Sequence, residues 1–282
     1  MALIDPVLLK PRLGHLAGRF DVDALDECDS TSSELMRRAD RGAPAGTVVV
    51  ADRQSAGRGR RGRTWMSSPE SSLTFSLLWR FPGPAARLSG LSLAVGLGLA
   101  QALETLGVCG VRLKWPNDVL IESAEGFAKL AGVLIELASD RRGIQAIIGI
   151  GINLDAPGGD FSMPVTGINQ ACPSSPDRHA VLAAILASQV GILEKLTVEG
   201  FFCLKSEWQR YHAWHGQMVQ ILTDGATPQV GRCLGVDDDG AVMITPNDQE
   251  NARLRCFESG GRTARWIGAW RSIPNAAHLF LA

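Results

Sequence analysis

Apolar positions along this chain fall into short runs punctuated by glycine, proline and charge, and their period changes from segment to segment. Thr47–Ala51 and Leu73–Trp79 are near-continuous apolar runs of strand length, the pattern of buried strands. Val111–Trp115 alternates instead, placing Val111, Leu113 and Trp115 on one face and Arg112 and Lys114 on the other. Leu130–Leu137 and Gln145–Leu154 flank the polar turn Ser139-Asp140-Arg141-Arg142-Gly143, which predicts an antiparallel hairpin. In Asp29-Ser30-Thr31-Ser32-Ser33-Glu34 a Ser or Thr precedes Glu by three residues, ahead of Leu35 and Met36. That is a capping signal, and it predicts a helix from about Ser32 to Arg41 that Gly42 and Pro44 end. Leu91–Leu106 predicts a buried helix, and Asp177–Leu196 and Phe202–His212 two more. Residues 1 to about 24 hold two prolines and short apolar runs, enough for a short helix but not a domain. The segment from Ala156 to Pro176 reads as a surface connection. After Trp214 the character changes: Met218–Thr223, Val230–Val236, Ala241–Thr245 and Ala252–Phe257 are short β-prone pieces between turns. The expected fold class is α+β, with a small β-barrel following the main domain.

A length of 282 residues accommodates one sizeable core and a smaller second domain. The apolar fraction of 45% and charged fraction of 20% are those of a soluble globular protein. The six cysteines stand singly with no C-x-x-C pair, which excludes common zinc and disulfide-scaffold patterns and leaves them as buried or semi-buried thiols. No apolar signal core precedes Asp5, Lys10 and Arg12. Glycines, Ser89, Ser92, Gln101 and Glu104 interrupt Leu88–Leu106 below the length of a bilayer span. No membrane and a cytoplasmic location are expected.

Against that background one segment stands out. Gly57-Arg58-Gly59-Arg60-Arg61-Gly62-Arg63 puts four arginines and three glycines in seven consecutive positions. Glycine lets backbone lie close to a ligand, and arginine adds a fork of donors matched to carboxylate and phosphate oxygens. The segment is either an anion-binding loop or a solvated basic loop with weak nucleic-acid affinity. A net charge of −1 disfavours a general nucleic-acid binder, which carries a broader basic excess. Lys114-Trp115-Pro116-Asn117-Asp118 ends an amphipathic strand and is either a working strand end or a plain turn. Lys129 opens the next strand, where it either snorkels outward or neutralises a bound anion. Gly149-x-Gly151-Ile152-Asn153 suggests close backbone approach, with Asn153 a packing amide or a ligand contact. It is not a dinucleotide fingerprint; Walker A, G-x-S-x-G and H-E-x-x-H frames are also absent. His212 and His215 read as surface or interface residues, no metal site is expected, and most of the seven tryptophans are assigned to the core.

Taken in order, Asp29-Ser30-Thr31, Gln54-x-x-Gly57-Arg58-Gly59-Arg60-Arg61-Gly62-Arg63-x-Trp65, Lys114-Trp115-Pro116-Asn117-Asp118, Lys129-Leu130-Ala131-Gly132 and Gly149-x-Gly151-Ile152-Asn153 resemble the biotin protein ligase family, over about residues 23 to 265. The resemblance implies a mixed β-sheet with flanking helices, related to class II aminoacyl-tRNA synthetases, followed by an SH3-like β-barrel. It divides the chain into an extension (1–22), a catalytic domain (23–213), the barrel (214–267) and a tail (268–282). It implies that biotin's carboxylate attacks the α-phosphate of Mg²⁺-ATP, and that a lysine of a biotin carboxyl carrier domain, of acetyl-CoA carboxylase or a related carboxylase, then takes the biotinyl group from biotinyl-5′-AMP. By position it assigns Lys129, Arg58, Arg60 and Asp118 to catalysis, Asp118 by binding the incoming ammonium. Ser30, Thr31, Ser32, Gln54, Gly57, Arg58, Gly59, Arg60 and Lys129 fall to biotin. Arg58, Arg60, Trp65, Lys114, Asn117 and Asn153 fall to the nucleotide and adenylate. Two departures stand out: Ser32 replaces the family's usual asparagine, and the segment Glu122–Ala128 looks longer than usual. Fewer than thirty residues precede Asp29, too few for the winged helix of the family's repressors, so no operator binding is expected. A homodimer is compatible with the resemblance. A lipoate or octanoate ligase is the rival, disfavoured by the Lys-Trp-Pro-Asn-Asp segment.

Overall fold

The computed structural model describes residues 2–140, 143–221, 229–246, 254–256 and 276–277. Pro6–Leu13 forms α1, Asp21–Cys28 β1, Thr31–Asp40 α2, Thr47–Gln54 β2 and Ser72–Phe81 β3. Leu91–Thr105 is α3, Val111–Lys114 β4, Asp118–Ser123 β5, Gly126–Asp140 β6 and Gly143–Asn153 β7. Ile168–Ala171 is α4, Arg178–Glu199 α5 and Lys205–Tyr211 α6. Met218–Ile221, Gln229–Val236, Val242–Pro246, Leu254–Cys256 and Ala276–Ala277 are β8 to β12.

The first seven strands make one sheet in the order β1-β2-β3-β7-β6-β5-β4. Pairing is parallel at β1–β2 and antiparallel elsewhere. Because side chains alternate along a strand, Val48 and Val50 join the main core with Leu97 of α3 and Leu186 of α5. Val49 points the other way, into a smaller cluster with Leu35 and Ala39 of α2, Leu78 and Ile147. The glycine-rich α3 lies against α5, Gly98 facing Gln189.

Several expectations change. Ala85–Thr105 and Arg178–Glu199 are, by length and composition, long and apolar enough to cross a membrane, although Leu88–Leu106 was expected to fall short. Here α3 and α5 instead bury most of their apolar side chains in the core. The strand β1 was not expected, and Trp115-Pro116-Asn117 is the turn of a β4–β5 hairpin, with Lys114 paired to Asp118 at the first residue of β5. The segment Glu122–Ala128 is a tight second hairpin, in which Glu122 pairs with Phe127 and Ser123 with Gly126. The connection after Ala156 contains α4. The described strands of the C-terminal module form a sheet ordered β11-β10-β9-β8-β12, which does not close into a barrel among the described residues. Its Gly240 carbonyl accepts from the Trp115 indole at 2.8 Å, tying it to the β4–β5 turn. Cys109 is exposed rather than buried, and Cys256, Trp266 and Trp270 lie outside the residues whose side chains are described. Trp79, Trp115, Trp208 and Trp214 are core residues as expected.

His212 corrects another expectation. It is only 6% exposed, its ring lies 4.8 Å from that of Trp208, and neither ring nitrogen has a hydrogen-bond partner. Burial, with a small contribution from His215, pushes its pKa down to about 3. The unfolded chain therefore binds a proton below about pH 6.5 that the folded protein refuses, so stability falls as pH drops through that range. Lowering pH from 7 to 5 should remove about 2 kcal/mol through this group. Urea titrations at both pH values test this: His212→Phe should flatten the difference, and an unchanged difference would assign the acid sensitivity elsewhere.

Candidate active site

The α2-side face of the sheet carries a trough built by register. Directly paired residues share a face, so Asp118, Gly132, Gly151 and Thr74 form one row across β5, β6, β7 and β3. Leu134, Gly149 and Ser76 form the next. The glycines hollow the surface: a methyl group on Gly149 would sit 2.6 Å from Ser32 Oγ, and one on Gly151 would collide with the Trp65 indole.

One wall is the start of α2. Ser30 is its N-cap, but its side chain makes no capping bond, so the expected capping signal works differently. The N–H of Thr31 is instead satisfied by Gln54 Oε1 at 2.8 Å. The hydroxyls of Thr31 and Ser32 turn down to Ser76 Oγ, at 2.8 and 3.0 Å. This buried polar cluster offers alternating donors and acceptors at the end of the trough.

The opposite end is charged. Lys114 Nζ lies 2.9 Å from Asp118 Oδ2 and Lys129 Nζ 2.6 Å from Asp118 Oδ1. The side chains of Lys114 and Asp118 are 3% and 8% exposed, and that of Lys129 is 26% exposed. Burial alone would raise the Asp118 pKa, but the two ammonium groups outweigh it and hold the carboxyl well below its usual range. Burial depresses Lys114, with Asp118 opposing and Lys129 adding to the effect. A carboxylate so stabilised is a weak base with both oxygens engaged. Its two oxygens hold the Lys114 and Lys129 ammonium groups, and Asp118 and Lys129 both line the cavity.

The arginine–glycine segment folds as a small hairpin over this trough, with Arg58 bridged to Thr64. Gly57 is pressed against the Trp65 carbonyl, leaving no room for a side chain. Arg60 donates to Asn117 Oδ1 at 3.1 Å, and Asn117 Nδ2 donates to the Val133 carbonyl at 2.8 Å. Arg58 is held by Glu136, at 2.9 and 2.5 Å. Arg63 is exposed and lines the cavity, whereas the side chain of Arg61 lies outside the described residues. The Trp65 ring lies in the trough with a buried, unpartnered indole N–H, 5.8 Å from Lys129 Nζ.

Two chambers meet here. The first is lined by Ser30, Thr31, Ser32, Gln54, Arg58, Gly59, Arg60, Trp65, Asn117, Asp118 and Lys129, together with the trough. The second is lined by Lys114, Asn153, Phe161, Met163 and Val165, and shares Arg63, Thr64, Trp65, Asp118 and Lys129 with the first. Asn153 is in part a packing amide, donating to the Thr166 carbonyl at 3.0 Å. Sequence reasoning missed Thr74, Ser76 and Glu136. The first two had a signal, being polar at alternate positions of an otherwise apolar strand.

The sequence profile of the Biotin/lipoate A/B protein ligase family matches residues 28–153. The chain is 34% identical over 282 residues to the bifunctional ligase/repressor BirA of Escherichia coli (strain K12), covering 98% of this chain and 81% of that protein. It is 31% identical over 233 residues to the biotin--[acetyl-CoA-carboxylase] ligase of Paracoccus denitrificans, covering 78% and 92%. The biotin protein ligase from Aquifex aeolicus in complex with biotin and ATP superposes with a TM-score of 0.70 at 29% identity, covering 87% of this chain and 98% of that one. Motif order, trough and relatives agree, and the chain belongs to the biotin/lipoate A/B protein ligase family.

Proposed function

We propose that this chain is a biotin protein ligase that forms biotinyl-5′-AMP from biotin and ATP and passes the biotinyl group to a lysine of a biotin carboxyl carrier domain. The observation that carries the reading is Lys129, held by Asp118 where the two chambers meet beneath the arginine hairpin. The polar end at Thr31, Ser32, Gln54 and Ser76 suits the ureido group, and the glycine trough suits the flat bicycle and its chain. That places the carboxylate beside Lys129. The second chamber then takes the nucleotide, bringing the α-phosphate to the same lysine.

In the first step a carboxylate oxygen bonds to the α-phosphorus and pyrophosphate leaves with the bonding electrons. Both reactants are anionic, so positive charge set in place beforehand lowers the barrier. Lys129 and Arg60 supply it, and Lys114 balances Asp118 so that Lys129 keeps its charge for the ligand. In the second step the neutral amine of the acceptor lysine attacks the acyl carbon, AMP departs, and the amine's proton passes to water. Shielding the mixed anhydride from water is the work of the hairpin.

Among the described residues no group of three or more His, Cys, Asp or Glu is placed to hold a metal ion. Both Asp118 oxygens already serve lysines, so these residues do not build a resident metal site. Magnesium enters as part of the Mg-ATP substrate.

Repression is outside the proposed function. The net charge of −1 disfavours a general nucleic-acid binder, which carries a broader basic excess. A salt-resistant, sequence-specific shift of promoter DNA would contradict this part. The central test is ATP–pyrophosphate exchange. Biotin should drive it and lipoate should not; the reverse dependence would overturn the assignment.

A further inference from the structure

The backbone bonds of the arginine–glycine hairpin mostly fold it on itself. Gly59 N donates to Arg63 O at 2.7 Å and Trp65 N to Gly57 O at 3.0 Å, while Ser55 N and Ala56 N fasten its base to the Cys28 and Asp29 carbonyls. Side chains tether the rest. Arg60 reaches Asn117, the Trp65 ring lies in the trough, and Glu136 takes Arg58 in a two-pronged ion pair. Asn117 and Trp65 line the cavity, so a ligand entering it competes with their contacts. Glu136 does not line it. It stands on β6 two residues beyond Leu134, on the same face and paired with Ile147, and its side chain is 23% exposed.

From this arrangement we propose that Glu136 is a positioning residue, a latch that keeps the hairpin shut over the activated acyl group by holding Arg58. It touches no reacting atom. The forked geometry gives the contact direction as well as attraction. Its partial exposure keeps it weak enough to open for substrate entry, as lid motions require. Arg58 lines the cavity but Glu136 does not, so ligand filling the trough meets only the arginine's side of the pair. The inference rests on the ligase reading given above.

Tryptic cleavage after the arginines of residues 58–63 tests the latch without any substrate. Glu136→Gln should speed cleavage of the unliganded protein about three-fold, and Glu136→Asp should restore part of the protection. If Glu136→Gln does not fold, Glu136→Ala carries the same comparison, and Arg58→Lys, which removes the fork, carries the proteolysis arm alone. With biotin and ATP supplied, release of labelled biotinyl-adenylate from Glu136→Gln should rise about three-fold, while the KM for biotin in pyrophosphate exchange stays put. Unchanged cleavage in a folded variant overturns the latch. Faster cleavage with unchanged release overturns its role over the intermediate, and a rise in the KM for biotin makes Glu136 a binding residue instead. Failure of the wild-type protein to exchange pyrophosphate with biotin would overturn the ligase reading while leaving the proteolysis result intact.

Discussion

Lys129→Ala should lower biotin-dependent ATP–pyrophosphate exchange by about three orders of magnitude or more. The lysine lies with Arg63 among the cations shared by both chambers, and its loss leaves two anions to approach each other without the ammonium that Asp118 holds there. Its fold should survive, because Asp118 keeps its bond to Lys114 at 2.9 Å. The midpoint of thermal unfolding should therefore move by only a few degrees, while exchange collapses. Lys129→Arg should recover a fraction, since it restores charge with the wrong shape. Near-normal exchange by Lys129→Ala would remove the residue from the mechanism.

Asp118→Ala should fail differently, by losing both stability and activity. It strands Lys114, whose side chain is 3% exposed, without its carboxylate. Breaking a buried ion pair from one side costs about 3–5 kcal/mol. The sign of the pH dependence follows from the depressed Lys114 pKa. In the variant the unfolded chain binds a proton that the folded chain resists, so stability should climb as pH rises from 7 toward 10. Adding Lys114→Met should return most of the lost stability without returning activity, because Lys129 would still lack the group that holds it. A single variant as stable as wild type at pH 7 would show that the pair contributes little.

The sequence made the strongly apolar strands legible because continuous Val, Ile and Leu runs have few other uses. It hid β1, where Asp21, Asp23, Asp26 and Glu27 dilute the pattern. Those charges are tolerable because β1 is an edge strand, where they also discourage further pairing. It hid β5 because Pro-Asn-Asp reads as a turn whether or not a strand follows. The site was legible as a set of motifs, but its geometry was not. Gly132 and Gly151 matter because they are paired, and pairing depends on register between strands rather than on either local sequence. The direction in which Arg58 points was likewise invisible, since it depends on Glu136, 78 positions away. His212 was misread because nothing local distinguishes a histidine stacked on a core tryptophan from one in water.

The register that sets Asp118 beside Gly132 and Gly132 beside Gly151 has a consequence for the newly made chain. Lys114, Asp118 and Lys129 come from three separate strands, and the trough needs two more. No fragment of the sheet holds a lysine poised over a bicycle-shaped groove. Competence for chemistry thus arises in the same event as completion of the sheet, and a half-finished molecule cannot release a reactive acylating agent among its neighbours.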